Sequence, residues 1–217
     1  MPSILVDTQA DMLLYGMSET QIKTLAHGLA KGWPIHKIKD IPGTCYMSRS
    51  LPKGNKYTLI SSFEEVSTEK IKFAEAFQIQ SREQNPFIGS TLVQKHGDLY
   101  LVQLPPAKPL SQSEMDELYR LPFTRTYHPR YKNAGGVPAL QEVEFSVTDH
   151  RGCFGGCSFC AISFHQGRII QNRSETSVLD EIRLMTHQPG FKGYIHDIGG
   201  PTANFRNVAC KKQLTSG

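Results

Sequence analysis

Three cysteines fall within one eight-residue stretch, Cys153-Phe-Gly-Gly-Cys157-Ser-Phe-Cys160, directly behind residues 141–148, where Val143, Phe145 and Val147 alternate with polar neighbours as in a strand. Three thiolates this close repel one another if all are ionised and unpaired, so a soft cation that stabilises the ionised form is the natural partner of this loop. Gly155 and Gly156 carry no Cβ atoms and permit the loop to curl round a ligand. A helix follows, led by Ser174, with Val178, Ile182 and Met185 at helical spacing and Gly190 as its stop. Gly193 to Ile198 reads as a second strand that closes on Gly199-Gly200-Pro201. Strand, long loop, helix and strand make a βαβ unit, whose strands run parallel across a right-handed crossover. The cysteine loop then sits at the carboxyl end of its strand, the edge where α/β proteins build sites.

Upstream, Asp11 to Tyr15 reads as a short buried strand, and Gly16-Met-Ser18 turns into a helix opened by a capping box, Ser18 as N-cap and Gln21 at N3. Ile22, Leu25, Ala26 and Leu29 repeat at helical spacing, and Gly32 stops the run. Residues 32–62 hold Pro, Gly and short strands, with Cys45 as a buried structural thiol in the Thr44 to Met47 strand. A second helix follows Ser67, with Ile71, Ala74 and Phe77 on one face, and ends before Asn85-Pro86. Thr91 to Gln103 reads as a hairpin around His96-Gly97-Asp98. Ser111 to Glu114 is a further capping box, opening a short helix through Met115, Leu118 and Tyr119. The pattern divides the chain into a partial α/β domain over 1–103, a linker wrapping a domain surface over 104–140, and a second α/β segment over 141–217.

At 217 residues, 39% hydrophobic and 20% charged, the chain has the composition of a folded domain and not of a disordered one. Five cysteines are an odd number, and their clustering argues against a disulfide framework. No run approaches the roughly 18 apolar residues of a membrane span. Acidic Asp7 and Asp11 stand where a signal peptide needs basic residues, so the expected location is the reducing cytoplasm. Residues 1–150 carry sixteen Lys/Arg against sixteen Asp/Glu, and 151–217 carry eight against four, so the net charge of +4 lies with the cysteines. That excess is too small for a nucleic-acid-binding stripe; it reads as a solvated surface, with a phosphate or carboxylate ligand as the alternative.

Iron–sulfur clusters are normally held by four cysteines, so a group of three leaves one iron open for chemistry. A structural zinc site is the competing assignment, with His165, Cys45 or Cys210 completing four ligands. Cys157 and Cys160 alone have the spacing of a thioredoxin-like redox pair, but that pair has no third cysteine four residues upstream. His150 and His165 flank the loop and read as hydrogen-bonding groups beside a site. Arg151, Arg168 and Arg173 either pair with an anion or face solvent.

The spacing Cys-x3-Cys-x2-Cys, with aromatic Phe159 before the last cysteine, resembles the signature of the radical S-adenosylmethionine (SAM) enzymes. Thr148-Asp-His-Arg-Gly-Cys-Phe-Gly-Gly-Cys-Ser-Phe-Cys-Ala-Ile162 resembles the YgiQ-type subfamily in particular, as do His165 to Arg168, Arg173-Ser174 and His196 to Asn204. Residues 11–32 and 91–130 are similar to its upstream region. The resemblance implies an α/β fold: an incomplete radical SAM (β/α) barrel, its first βαβ unit, preceded by part of a Rossmann-like, cobalamin-binding-like domain. It implies that Cys153, Cys157 and Cys160 each ligate one iron of a 4Fe-4S cluster and that S-adenosyl-L-methionine chelates the fourth. Phe159 is expected near the adenine, and Gly199 and Gly200 are expected to offer their backbone to the methionine amino group, with Pro201 where an acidic residue often stands. An electron donor such as a flavodoxin or a ferredoxin is implied, as is a 5′-deoxyadenosyl radical that abstracts hydrogen from a substrate the sequence does not name. The cobalamin histidine motif Asp-x-His-x-x-Gly is absent, so the sequence does not support a cobalamin role for the N-terminal unit. A barrel of six repeats needs roughly 30 residues for each, whereas 57 residues follow Cys160. The expectation is a fragment of a longer protein, inactive by itself. A structural zinc module and a cluster-binding fold without turnover stand as alternatives.

Overall fold

The computed structural model describes residues 2–53, 56–201, 203–206 and 211–214; Cys210, considered above as a zinc ligand, lies outside them. Helix α1 (Ile4–Thr8) leads into strand β1 (Leu13–Leu14) and helix α2 (Glu19–Ala30). Then come β2 (Thr44–Ser48), β3 (Tyr57–Ile60), α3 (Phe63–Thr68), α4 (Lys70–Arg82), β4 (Thr91–His96) and β5 (Leu99–Gln103). These strands form one sheet in the order β1-β2-β5-β4-β3. The two-residue turn Gly97-Asp98 forces β4 and β5 antiparallel, while the α3–α4 crossover lets β3 and β4 run parallel. The α/β class stands. The sheet, however, is mixed and largely antiparallel, unlike the parallel sheet of the expected Rossmann-like unit: among its pairings only that of β3 with β4 is parallel.

Val93 and Val102 are fully buried beside Tyr46 and Leu104, and Leu25 packs with Ile38 and Ile41 beneath α2. Helix α4 corrects the expected face. Ile71, Ala74 and Phe77 are exposed, and Ala76 and Ile79 pack on Ile60 and Leu92. The cause is α3, which the sequence pattern missed: the capping box of Ser62 and Glu65 starts it early, and its Val66 joins the same cluster. Ser18 is also corrected. It stands at φ +67°, where its hydroxyl donates to the Tyr15 carbonyl (3.2 Å) instead of capping α2, and Gln21 turns inward to the same carbonyl (3.3 Å).

Helix α5 (Gln112–Tyr119) has the expected cap: Ser111 Oγ accepts from the Glu114 amide, and the Glu114 carboxylate accepts from the Ser111 amide. A 3₁₀ turn (Pro129–Ala134) and α6 (Leu140–Val143) follow. The strand expected over 141–148 shrinks to β6 (Ser146–Thr148), because Pro138 opens a helical turn, accepting from the Gln141 amide at 3.1 Å, that runs on through Val143. Then come β7 (His150–Arg151), α7 (Ile162–Gln166), β8 (Gln171–Asn172), α8 (Glu175–Thr186) and β9 (Asp197–Gly199). β6 and β9 pair in parallel, and β7 and β8 antiparallel. Val178 and Met185 of α8 cover β6 through Phe145 and Val147, with Ile182 beside them.

Candidate functional site

The parallel register sets Thr148 opposite Gly199, so the cysteine loop and the Gly199-Gly200 segment leave from neighbouring carboxyl ends. The Asp149 amide donates to the Gly199 carbonyl at 2.9 Å, extending that contact one residue past the strand. At the root of the loop, Gly152 at φ +94° lies hard against the Ile169 carbonyl, an approach only glycine allows. The Cys153 amide then donates to the Gly167 carbonyl (3.0 Å), closing the loop on itself.

Cys153 is buried, Cys157 exposed and Cys160 half-buried. The Cys160 amide donates to the Cys157 carbonyl (3.2 Å), and the Gly155 amide points at Cys153 Sγ (3.3 Å). A Cβ on Gly155 would lie 3.2 Å from Cys153 Sγ and 3.9 Å from Cys157 Sγ. The missing side chain thus leaves open the space between two sulfurs. Among the described residues, however, no three His, Cys, Asp or Glu side chains are gathered tightly enough to hold an ion. The donor set and the open space fit an iron–sulfur group, while the three sulfurs are not drawn together in this structure. Phe159 is 91% exposed, and Phe154 packs on Phe205 with ring centroids 4.2 Å apart.

His150 is wholly buried behind the glycines. Its Nδ1 meets the Asp149 carboxylate, whose other oxygen accepts from Arg206 (3.3 Å). Its Nε2 lies 3.2 Å from the Ala203 carbonyl oxygen and 3.3 Å from the Phe205 amide. The ring fills the volume that a Gly200 side chain would need. Both Gly199 and Gly200 are half-buried.

The arginines separate. Arg173 is 1% exposed; it donates to the Thr148 and Ser177 carbonyls, each at 2.8 Å, pairs with Glu181, and lies 4.3 Å from the Tyr119 ring. Burial pushes its guanidinium below the usual range. Glu181 also holds Arg125. Arg151, equally buried, ties to Glu19 of α2 and to Met115 Sδ (3.1 Å), so it belongs to the packing. Arg168 and His165 are exposed. Cys45 lies in β2, paired with Leu13 and Gln103, and burial pushes its thiol up to about 12, as for a structural core residue. Sequence reasoning did not find Asp149, Glu181 or Arg206 as partners; the Asp149-His150 pair between strand and first cysteine was the available signal for one of them.

No helix among the described residues is long and apolar enough to cross a membrane. No solved structure matches the chain. A UPF0313 protein of Clostridium botulinum (strain 657) is 56% identical over 215 residues, covering 99% of this chain and 34% of the relative. A UPF0313 protein of Clostridium perfringens (strain ATCC 13124) is 54% identical over 216 residues, covering 99% of this chain and 33% of the relative. The chain therefore spans about a third of the length of the curated relatives it matches. The profile of the Radical SAM N-terminal family matches residues 1–146. By that match over more than half of its length, the chain belongs to the Radical SAM N-terminal family and so to the radical SAM superfamily.

Proposed function

We propose that Cys153, Cys157 and Cys160 hold a 4Fe-4S cluster and that S-adenosyl-L-methionine binds beside it, as part of an enzyme that initiates radical chemistry on a substrate of unassigned class. The observation that carries this reading is the parallel pairing of β6 with β9, which brings the cysteine loop and Gly199-Gly200 to one edge. Held by Cys153, Cys157 and Cys160, such a cluster would supply one-electron reduction to S-adenosyl-L-methionine. The chain's own residues bind and shield. Gly155 leaves room between the sulfurs of Cys153 and Cys157, and the Gly155 amide points at Cys153 Sγ. Gly199 and Gly200 offer backbone to the methionine amino group, backed by the His150 ring, and exposed Phe159 is free to cover the adenine. Pro201 contributes no carboxylate, so that contact rests on carbonyl oxygens.

The segment 141–217 is, on this reading, the first βαβ unit of a (β/α) barrel. A flavodoxin or ferredoxin in the cytoplasm is the expected electron source. Anaerobic reconstitution with ferrous iron and sulfide tests the assignment: a broad brown absorbance with about four irons per chain is expected, and Cys157→Ala should lose most of it. One zinc per chain and no iron would overturn it in favour of a structural zinc module.

A further inference from the structure

Between the N-terminal sheet and the segment that follows the cysteine loop runs a cleft of about 290 Å³. Its walls come from the turn before α2, the end of α4, the prolines of 106–109 and residues 164–169. Each of three walls brings a cation: Arg82, Lys108 and Arg168 all line the cleft, all are exposed, and none has an ion-pair partner among the described residues. The one acid in the lining, Glu19, is already taken by Arg151. Arg183, by contrast, is exposed but paired with Asp180. Three like charges round one small cleft repel each other and raise its potential, a cost that a bound anion relieves. The first turn of α2 opens on the same space without a side-chain cap, adding amides of the same sign. Phe164, Leu110 and Met17 give the cleft an apolar side as well.

We propose that this cleft binds a small organic anion, recognised through phosphate or carboxylate groups by Arg82, Lys108 and Arg168. The wall carrying Arg168 continues directly from Cys160 through α7, so occupancy would brace the cysteine loop from behind. The site needs no iron, and its failure would leave the cluster assignment untouched.

Isothermal titration calorimetry on the metal-free chain, with inorganic pyrophosphate and with citrate as probes, tests it. One saturable site per chain is expected for at least one probe; pyrophosphate alone would assign a phosphate ligand, and citrate alone a carboxylate. Arg168→Gln and Arg82→Gln should each raise Kd about tenfold, Arg168→Lys should keep most of the affinity, and Arg183→Gln should change nothing. The replaced side chains are exposed, so the fold is not at stake, and far-UV circular dichroism verifies this. No saturable heat with either probe would overturn the proposal. So would equal affinity in Arg168→Gln and the unaltered chain, or an equal loss in Arg183→Gln.

Discussion

Burial sorts the cysteines at the residue scale. Cys45 is held in a β2 strand with its thiol pushed up to about 12 by desolvation, whereas Cys157 is exposed. Only the thiolate reacts, so iodoacetamide at mildly alkaline pH should label Cys157 well ahead of Cys45 in the metal-free chain, as read by peptide mass spectrometry. The folded value lies above the unfolded one near ~8.5, so the stability from the neutral thiol is complete below that pH and lost as pH rises toward 12. Arg173 makes the second prediction. Replacing it by Ala leaves Glu181 shared with Arg125 only and strips the donors from the Thr148 and Ser177 carbonyls, so urea unfolding should report a loss of about 3 kcal/mol. The cysteine loop was legible in sequence because its ligands are neighbours in the chain. Arg151 and Arg173 were not, since what buries them, Glu19 and Met115 for one and Tyr119 and Glu181 for the other, lies on other elements.

At the scale of elements, caps decide where helices begin. Ser111→Ala removes a formed capping box and should cost about 1 kcal/mol, while Ser18→Ala, which removes only one hydroxyl bond to the Tyr15 carbonyl, should cost a few tenths (roughly 0.3 kcal/mol) in the same denaturation series. Both sites read alike in sequence; the left-handed backbone of Ser18 separates them. The β4–β5 hairpin was legible because a two-residue turn leaves one geometry, and the order of the β6–α8–β9 unit because α8 keeps its helical period, although β6 and β9 are shorter than the strands expected over 141–148 and Gly193 to Ile198. The face of α4 was not, because α3 sets the helix's rotation through Val66 and small Ala76. Past the end of β9, Gly200→Ala presses a methyl into the His150 ring and should lower Tm, with a cost of about 1–3 kcal/mol. A variant as stable as the parent would show that the ring moves aside freely.

At the scale of the whole molecule, specific contacts tie the cysteine segment to the residues before it. Glu19 pairs with Arg151, the Asp116 carboxylate accepts from the Ser174 amide (2.9 Å), Gln171 accepts from the Leu110 amide (2.9 Å), and Phe77 meets Phe164. Those links hold the cysteine segment against α2, α4 and α5. The mixed strand order and the joining contacts were not legible in the sequence, because both depend on pairings between residues far apart in the chain. The central claim is that this edge holds a cluster with one iron open to S-adenosyl-L-methionine. Electron paramagnetic resonance of the reconstituted, dithionite-reduced chain tests it most directly. Addition of S-adenosyl-L-methionine should change the cluster signal, and Cys157→Ala should have no such signal to change. A full cluster whose spectrum is the same with and without S-adenosyl-L-methionine would contradict it.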